Sequence, residues 1–167
     1  DVGRYWSWYE DHPSNYDEDL IKCYLGTDYH IAGGMKYKIL EDNIGYIRYS
    51  SFSSNIGESN LDYIINHLSL CKGIILDVRE NGGGYLSNVD VIAARFINEK
   101  THVGYIRHKT GKGHNDFSKP QALDITPSQR LRFQKPVIVL TNRQCYSATN
   151  AFVNTMRYAP HVTILGD

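Results

Sequence analysis

From Asn43 onward the apolar positions fall into two alternating rhythms. Ile44–Tyr49 (IGYIRY) alternates as a strand, and Leu61, Ile64, Ile65 and Leu68 then recur at i, i+3, i+4 and i+7, which predicts a helix capped by Asn60. Gly73–Val78 (GIILDV) is a continuous apolar run, the mark of a strand buried on both faces. Val89, Ile92, Ala93 and Phe96 return to helical spacing, and Val103–Ile106 reads as a short strand. Residues 109–135 are polar and read as one long loop, a length that in compact domains usually carries function. Pro136 opens another buried strand, Val137–Leu140; Ala148, Ala151, Phe152 and Thr155 begin a third amphipathic helix; Val162–Leu165 is a last strand. Strands alternating with helices of this length predict an α/β domain with a largely parallel sheet and flanking helices.

Residues 1–42 break the rhythm. They are aromatic and polar, with short helices expected over Arg4–Glu10 and Asp17–Cys23 around Pro13, and a turn at Gly33-Gly34 into a strand over Lys36–Leu40. This stretch reads as a lead-in segment or small subdomain rather than core, with the core over 43–167. The chain starts abruptly at Asp1 and stops at Asp167 just after a strand, which reads as part of a longer protein truncated at its C-terminus.

Composition adds mainly exclusions. The 167 residues suffice for one domain with a sizeable core. Lys+Arg and Asp+Glu both number 18, so no basic stripe for nucleic acid is expected. No apolar run is long enough to span a membrane as a helix. Three cysteines, Cys23, Cys71 and Cys145, lack metal-ligand spacing and read as free thiols. No metal or cofactor is expected.

In parallel sheets, chemistry gathers where strand C-termini meet helix N-termini. Two segments occupy such junctions. Asp77-Val78-Arg79-Glu80-Asn81-Gly82-Gly83-Gly84 follows a buried strand, and its glycines leave backbone N–H groups uncovered where a helix starts. Those N–H groups suit a phosphate or the oxyanion of an acyl transfer, but no Gly-Lys-Ser/Thr follows, so it is not a P-loop; the plain alternative is a tight turn. The second segment, Leu140 to Asn150, puts Ser147 at a helix start. Serine there is commonly an N-cap. The functional alternative is a nucleophile whose oxyanion is held by the Ala148 N–H and a glycine N–H of the first junction. Cys145 is a rival nucleophile, placed two residues too early.

Taken together these segments resemble the tail-specific, or C-terminal-processing, serine peptidase family, including the tricorn-protease core. The shared pattern runs from Ile44-Gly45-Tyr46-Ile47 and Ser50-Ser51-Phe52, through Asp77, Arg79, Asn81, Gly83 and Gly84, to Val137–Asn142, Ser147-Ala148 and Gly166-Asp167. It covers residues 43–167, and its wording is similar to lipoprotein-type members. The resemblance implies a crotonase-like (ClpP-like) α/β core, Ser147 as nucleophile, and the N–H groups of Gly84 (with Gly83 the near alternative) and Ala148 as the oxyanion hole. It implies a polypeptide substrate and a cell-envelope location.

The pattern departs from the family in its proton acceptor. The common type takes a lysine downstream of Gly-Asp/Glu; tricorn-like members take a histidine upstream of the first core strand and a glutamate downstream, and in lipoprotein-type relatives that histidine sits in a D-G-H segment, expected just before Asp1. No D-G-H occurs here, so the base is expected outside the chain and the chain alone is expected to be weak or inactive. His12 and His30 are substitute candidates. His108 and His114 flank Gly111-Lys112-Gly113 and are candidates to line a substrate groove; His67, His102 and His161 read as surface residues. Asp77 and Arg79 read as a structural pair shaping the glycine turn. Two other functions stay open: a non-catalytic ligand- or peptide-binding module on this fold, and a crotonase-type acyl-CoA enzyme.

Overall fold

A computed structural model describes residues 14–166. A six-stranded sheet forms its centre, in the order β1-β2-β3-β4-β7-β8. The strands are β1 (His30–Ala32), β2 (Met35–Ile39), β3 (Ile44–Arg48), β4 (Gly73–Asp77), β7 (Val137–Thr141) and β8 (Val162–Gly166). From β3 to β8 every pairing is parallel, and β1 and β2 join antiparallel. The fold is thus mixed α/β with a largely parallel sheet. Four described helices accompany it: α1 (Glu18–Leu25), α2 (Glu58–His67), α3 (Leu86–Ala93) and α4 (Ala148–Met156).

One face of the sheet and three helices make the core. Ile47, Ile74, Leu76, Val137 and Val139 pack with Leu61, Ile64 and Ile65 of α2, Val89 and Ile92 of α3, and Phe152 and Met156 of α4. These are the residues whose helical and strand periods mark the sequence, and burying each contributes roughly 1.5–3 kcal/mol. Beside the other face lies α1, whose N-cap Asp17 accepts from the Asp19 and Leu20 N–H groups at 2.9 and 3.0 Å.

Several expectations change. Asn60 is not the cap of α2; the helix starts after Gly57, and Asn60, one turn in, reaches back to accept the Gly57 N–H at 2.9 Å. Phe96 lies beyond the end of α3 yet stays buried. The polar stretch 109–135 is not all loop: β6 (Gln121–Ile125) pairs antiparallel with β5 (Thr101–Ile106) in a separate two-stranded ribbon. Residues 30–39 are joined to the core, with Met35 and Tyr37 buried in it. The helix expected over Arg4–Glu10 lies outside the described residues.

Arg95 ties three elements together. It is fully buried just past α3, and its guanidinium donates to Asp62 at 2.7 Å, the Leu131 carbonyl at 2.7 Å, the Glu58 carbonyl at 2.9 Å and the Glu58 carboxylate. Removing one partner of a buried pair costs about 3–5 kcal/mol. Both carboxylates here are partly exposed and Asp62 also holds Arg130, so Arg95→Ala is expected to cost about 3 kcal/mol, the low end of that range. A urea unfolding curve measures it, and a loss below about 1 kcal/mol would show that Arg95 is not a structural hub.

Candidate active site

The first junction begins on a fully buried carboxylate. Asp77, the last residue of β4, accepts from Arg79 Nε at 2.9 Å, Arg79 Nη2 at 2.6 Å, the Arg79 N–H at 3.1 Å and the Tyr46 hydroxyl at 2.9 Å. A buried carboxylate is tolerated only with such partners. The Asp77 hydrogen bonds push the Arg79 guanidinium further up. Burial, then the charge of Asp77, pushes the Tyr46 phenol well above its usual range. The pair expected from the sequence therefore exists, and it fixes how the chain leaves the sheet.

Past Arg79 the backbone turns sharply. Glu80 adopts φ +60°, and Gly83 and Gly84 adopt φ +98° and +144°. Asn81, fully buried, holds the turn from inside: its amide donates to the Tyr49 carbonyl and its Oδ1 accepts the Gly83 N–H, both at 2.9 Å. The Gly83 N–H is thereby engaged. Gly84 pairs with Phe52 through the Phe52 N–H to Gly83 carbonyl bond and the Tyr85 N–H to Phe52 carbonyl bond. In such a ladder the N–H of the residue between those bonds, Gly84, projects from the opposite edge. No described residue accepts it.

The second junction folds onto the first. The Val78 N–H reaches the Leu140 carbonyl at 2.9 Å, and the Tyr146 N–H reaches the Asn81 carbonyl at 3.1 Å. Cys145 is buried, and its thiol donates to the Val78 carbonyl at 3.1 Å, so it faces the loop and not solvent. Ser147 is exposed, with φ +54° and ψ −119°, and its side chain makes no capping bond. The N-cap alternative fails on that point. Such a backbone costs a non-glycine residue about 1–3 kcal/mol, and such strain concentrates at functional sites. The next residue, Ala148, opens α4; its N–H belongs to the first turn, lacks an intrahelical acceptor, and carries the positive end of the helix dipole.

Gly83 measures how closely the two junctions approach. A Cβ there would lie 2.7 Å from the Tyr146 carbonyl oxygen, 2.8 Å from Ser147 Cβ and 2.9 Å from the Ala148 nitrogen. The glycine turn and the serine turn are in direct contact. An exposed hydroxyl thus stands on a strained turn that touches the glycine turn and precedes a helix-start N–H, a combination that acyl transfer can use.

The histidine candidates fall on other elements. His108 and His114 sit on the tip of the β5–β6 ribbon, where their backbone carbonyls bond Ser118 and Lys109. His30 is on the edge strand β1, stacked near His67 and Tyr37, three strands from β4. His12 lies outside the described residues. Cavities of about 530 and 630 Å³ border α1, and neither is lined by Ser147, Gly83, Gly84 or Ala148. Among the described residues no His, Cys, Asp or Glu group gathers as a metal site, and no helix is long and apolar enough to cross a membrane. Glu80 and Asn142 also meet at the junctions, and an asparagine immediately beyond a buried strand is the one sequence signal for that contact.

The chain is similar to known peptidases. The sequence model of peptidase family S41 matches residues 43–167. The carboxy-terminal processing protease CtpB of Bacillus subtilis is 27% identical over 132 residues, covering 78% of this chain and 25% of the relative. A carboxy-terminal-processing protease of Bartonella bacilliformis is 29% identical over 140 residues, covering 79% and 30%. A crystal structure from Parabacteroides merdae, assigned as a peptidase, superposes with TM-score 0.90 at 57% identity, covering 98% of this chain and 52% of that one. The chain therefore spans between a quarter and a third of these curated relatives and about half of that structure.

Proposed function

From a chain that belongs to peptidase family S41, we propose a serine endopeptidase core, crotonase-like in fold, that cleaves polypeptides through an acyl-enzyme. Ser147 Oγ attacks the scissile carbonyl carbon, and its proton passes to a base. The carbonyl oxygen becomes an oxyanion that accepts from the Gly84 and Ala148 N–H groups. Each such donor is worth about 3–4 kcal/mol in the transition state, or a factor of roughly 10²–10³. Collapse breaks the C–N bond, the departing amine takes the proton, and water then hydrolyses the Ser147 ester. Gly83 serves by having no side chain, which lets the turns touch. No described residue hydrogen-bonds the Ser147 hydroxyl, so we assign the base to a group outside residues 14–166. An envelope location is inferred from the likeness to lipoprotein-type members.

The observation that carries this reading is the φ +54°, ψ −119° backbone of Ser147 beside Gly83. Full-length protein treated with a fluorophosphonate probe is expected to label at Ser147 alone. A binding module or an acyl-CoA enzyme would not label. Absence of labelling in an intact protein that still binds peptide would overturn the proposal.

A further inference from the structure

The sheet ladder between the two junctions ends where the Val78 N–H meets the Leu140 carbonyl. Beyond that point the loops leave strand register, and side chains join the Tyr146 N–H to Asn81 carbonyl bond in holding them together. Asn142 is the first to do so. It is 5% exposed, and it grips Glu80 twice: Oδ1 accepts the Glu80 N–H at 3.0 Å, and Nδ2 donates to Glu80 Oε1 at 3.1 Å. Glu80 needs a grip, because its left-handed backbone is one that side-chain-bearing residues rarely adopt. Ser14 completes the group, accepting from Asn142 Nδ2 at 3.3 Å and donating to the Glu80 carboxylate. The neighbouring Asn81 passes the constraint on, through its carbonyl, to the Tyr146 N–H beside Ser147.

We propose that Asn142 and Glu80 form a clamp that sets the separation of the Ser147 hydroxyl from the Gly84 N–H, with Ser14 latching the lead-in chain onto it. Asn142 is a positioning residue: it acts through Glu80 and the glycine turn. The proposal rests on the peptidase reading and adds to it a link between the lead-in chain and the oxyanion hole.

The test uses full-length protein, a peptide substrate and the rate of fluorophosphonate labelling. Asn142→Asp keeps the shape and the acceptor for the Glu80 N–H, but turns a carboxylate oxygen onto the Glu80 carboxylate. A misplacement of about 1 Å costs on the order of a hundredfold in rate, so kcat and labelling should fall by about that factor while KM stays within about threefold. Adding Glu80→Gln supplies an amide donor to the new carboxylate, and the double variant should recover to within about tenfold of wild type, a coupling that independent sites would not show. Ser14→Ala should lower kcat by a few fold. The clamp is overturned if wild type labels and Asn142→Asp labels equally fast, if the loss appears in KM, or if the double variant stays as slow as the single. Should Asn142→Asp not fold, the double variant decides alone: a folded, slow protein refutes the clamp. A wild type that neither labels nor hydrolyses refutes the peptidase reading itself, and the clamp with it.

Discussion

Replacing Ser147 by alanine is expected to lower kcat by about a millionfold, the scale of loss when a serine hydrolase nucleophile is removed, and to leave stability unchanged. The second half of that expectation separates nucleophile from cap. A capping serine replaced by alanine costs about 1 kcal/mol because a helix N–H loses its acceptor. The Ser147 side chain makes no capping bond, so no such loss follows. Glycine at 147 goes further, since it adopts φ +54° freely; Ser147→Gly should stabilise by about 1 kcal/mol while remaining inactive. Peptide hydrolysis and thermal unfolding measured on the same preparations of full-length protein test both halves. An alanine variant that keeps its activity, or that melts as a decapped helix would, contradicts the assignment.

The glycine turn supplies the second large effect. An alanine methyl at Gly84 would collide with the backbone of Phe52 and Ser53, at a φ of +144° that side-chain-bearing residues rarely hold. At Gly83 it would collide with the Tyr146 carbonyl and Ser147. Backbone atoms cannot swing aside as a flexible side chain would, so at Gly83 the two turns must part and at Gly84 the glycine turn must leave Phe52 and Ser53. Gly83→Ala and Gly84→Ala should each lower kcat at least about a hundredfold, the worth of one oxyanion donor. A Cβ at Gly82 meets nothing within 4 Å, and Gly82→Ala should stay near wild-type rate. Equal rates across the three variants would show that close approach does not matter.

Much of this fold was legible along the chain, for a physical reason. β4 and β7 are central strands, so they read as unbroken apolar runs, and α2, α3 and α4 each turn one stripe to the core. β6 was hidden because it lies on a solvent-facing ribbon: four of its five residues are exposed and no alternation marks it. Asn60 misled because an asparagine one turn inside a helix can also satisfy a free N–H at the helix start, here that of the cap residue Gly57. At the site, the two junctions were visible as strand-to-helix turns with unusual glycine and serine content. The left-handed backbone at Glu80 and Ser147 was not, since neither is glycine. The Glu80–Asn142 contact was beyond reach too, because no local pattern reports on a side chain 62 residues away.

That separation has a consequence for when the proposed site first exists. The glycine turn follows β4, the serine turn follows β7, and they meet only after the intervening ribbon has been made and β7 has zipped alongside β4. Pairing of strands so far apart is slow to form in any chain. A nascent or half-unravelled copy therefore carries a serine but no anion cradle.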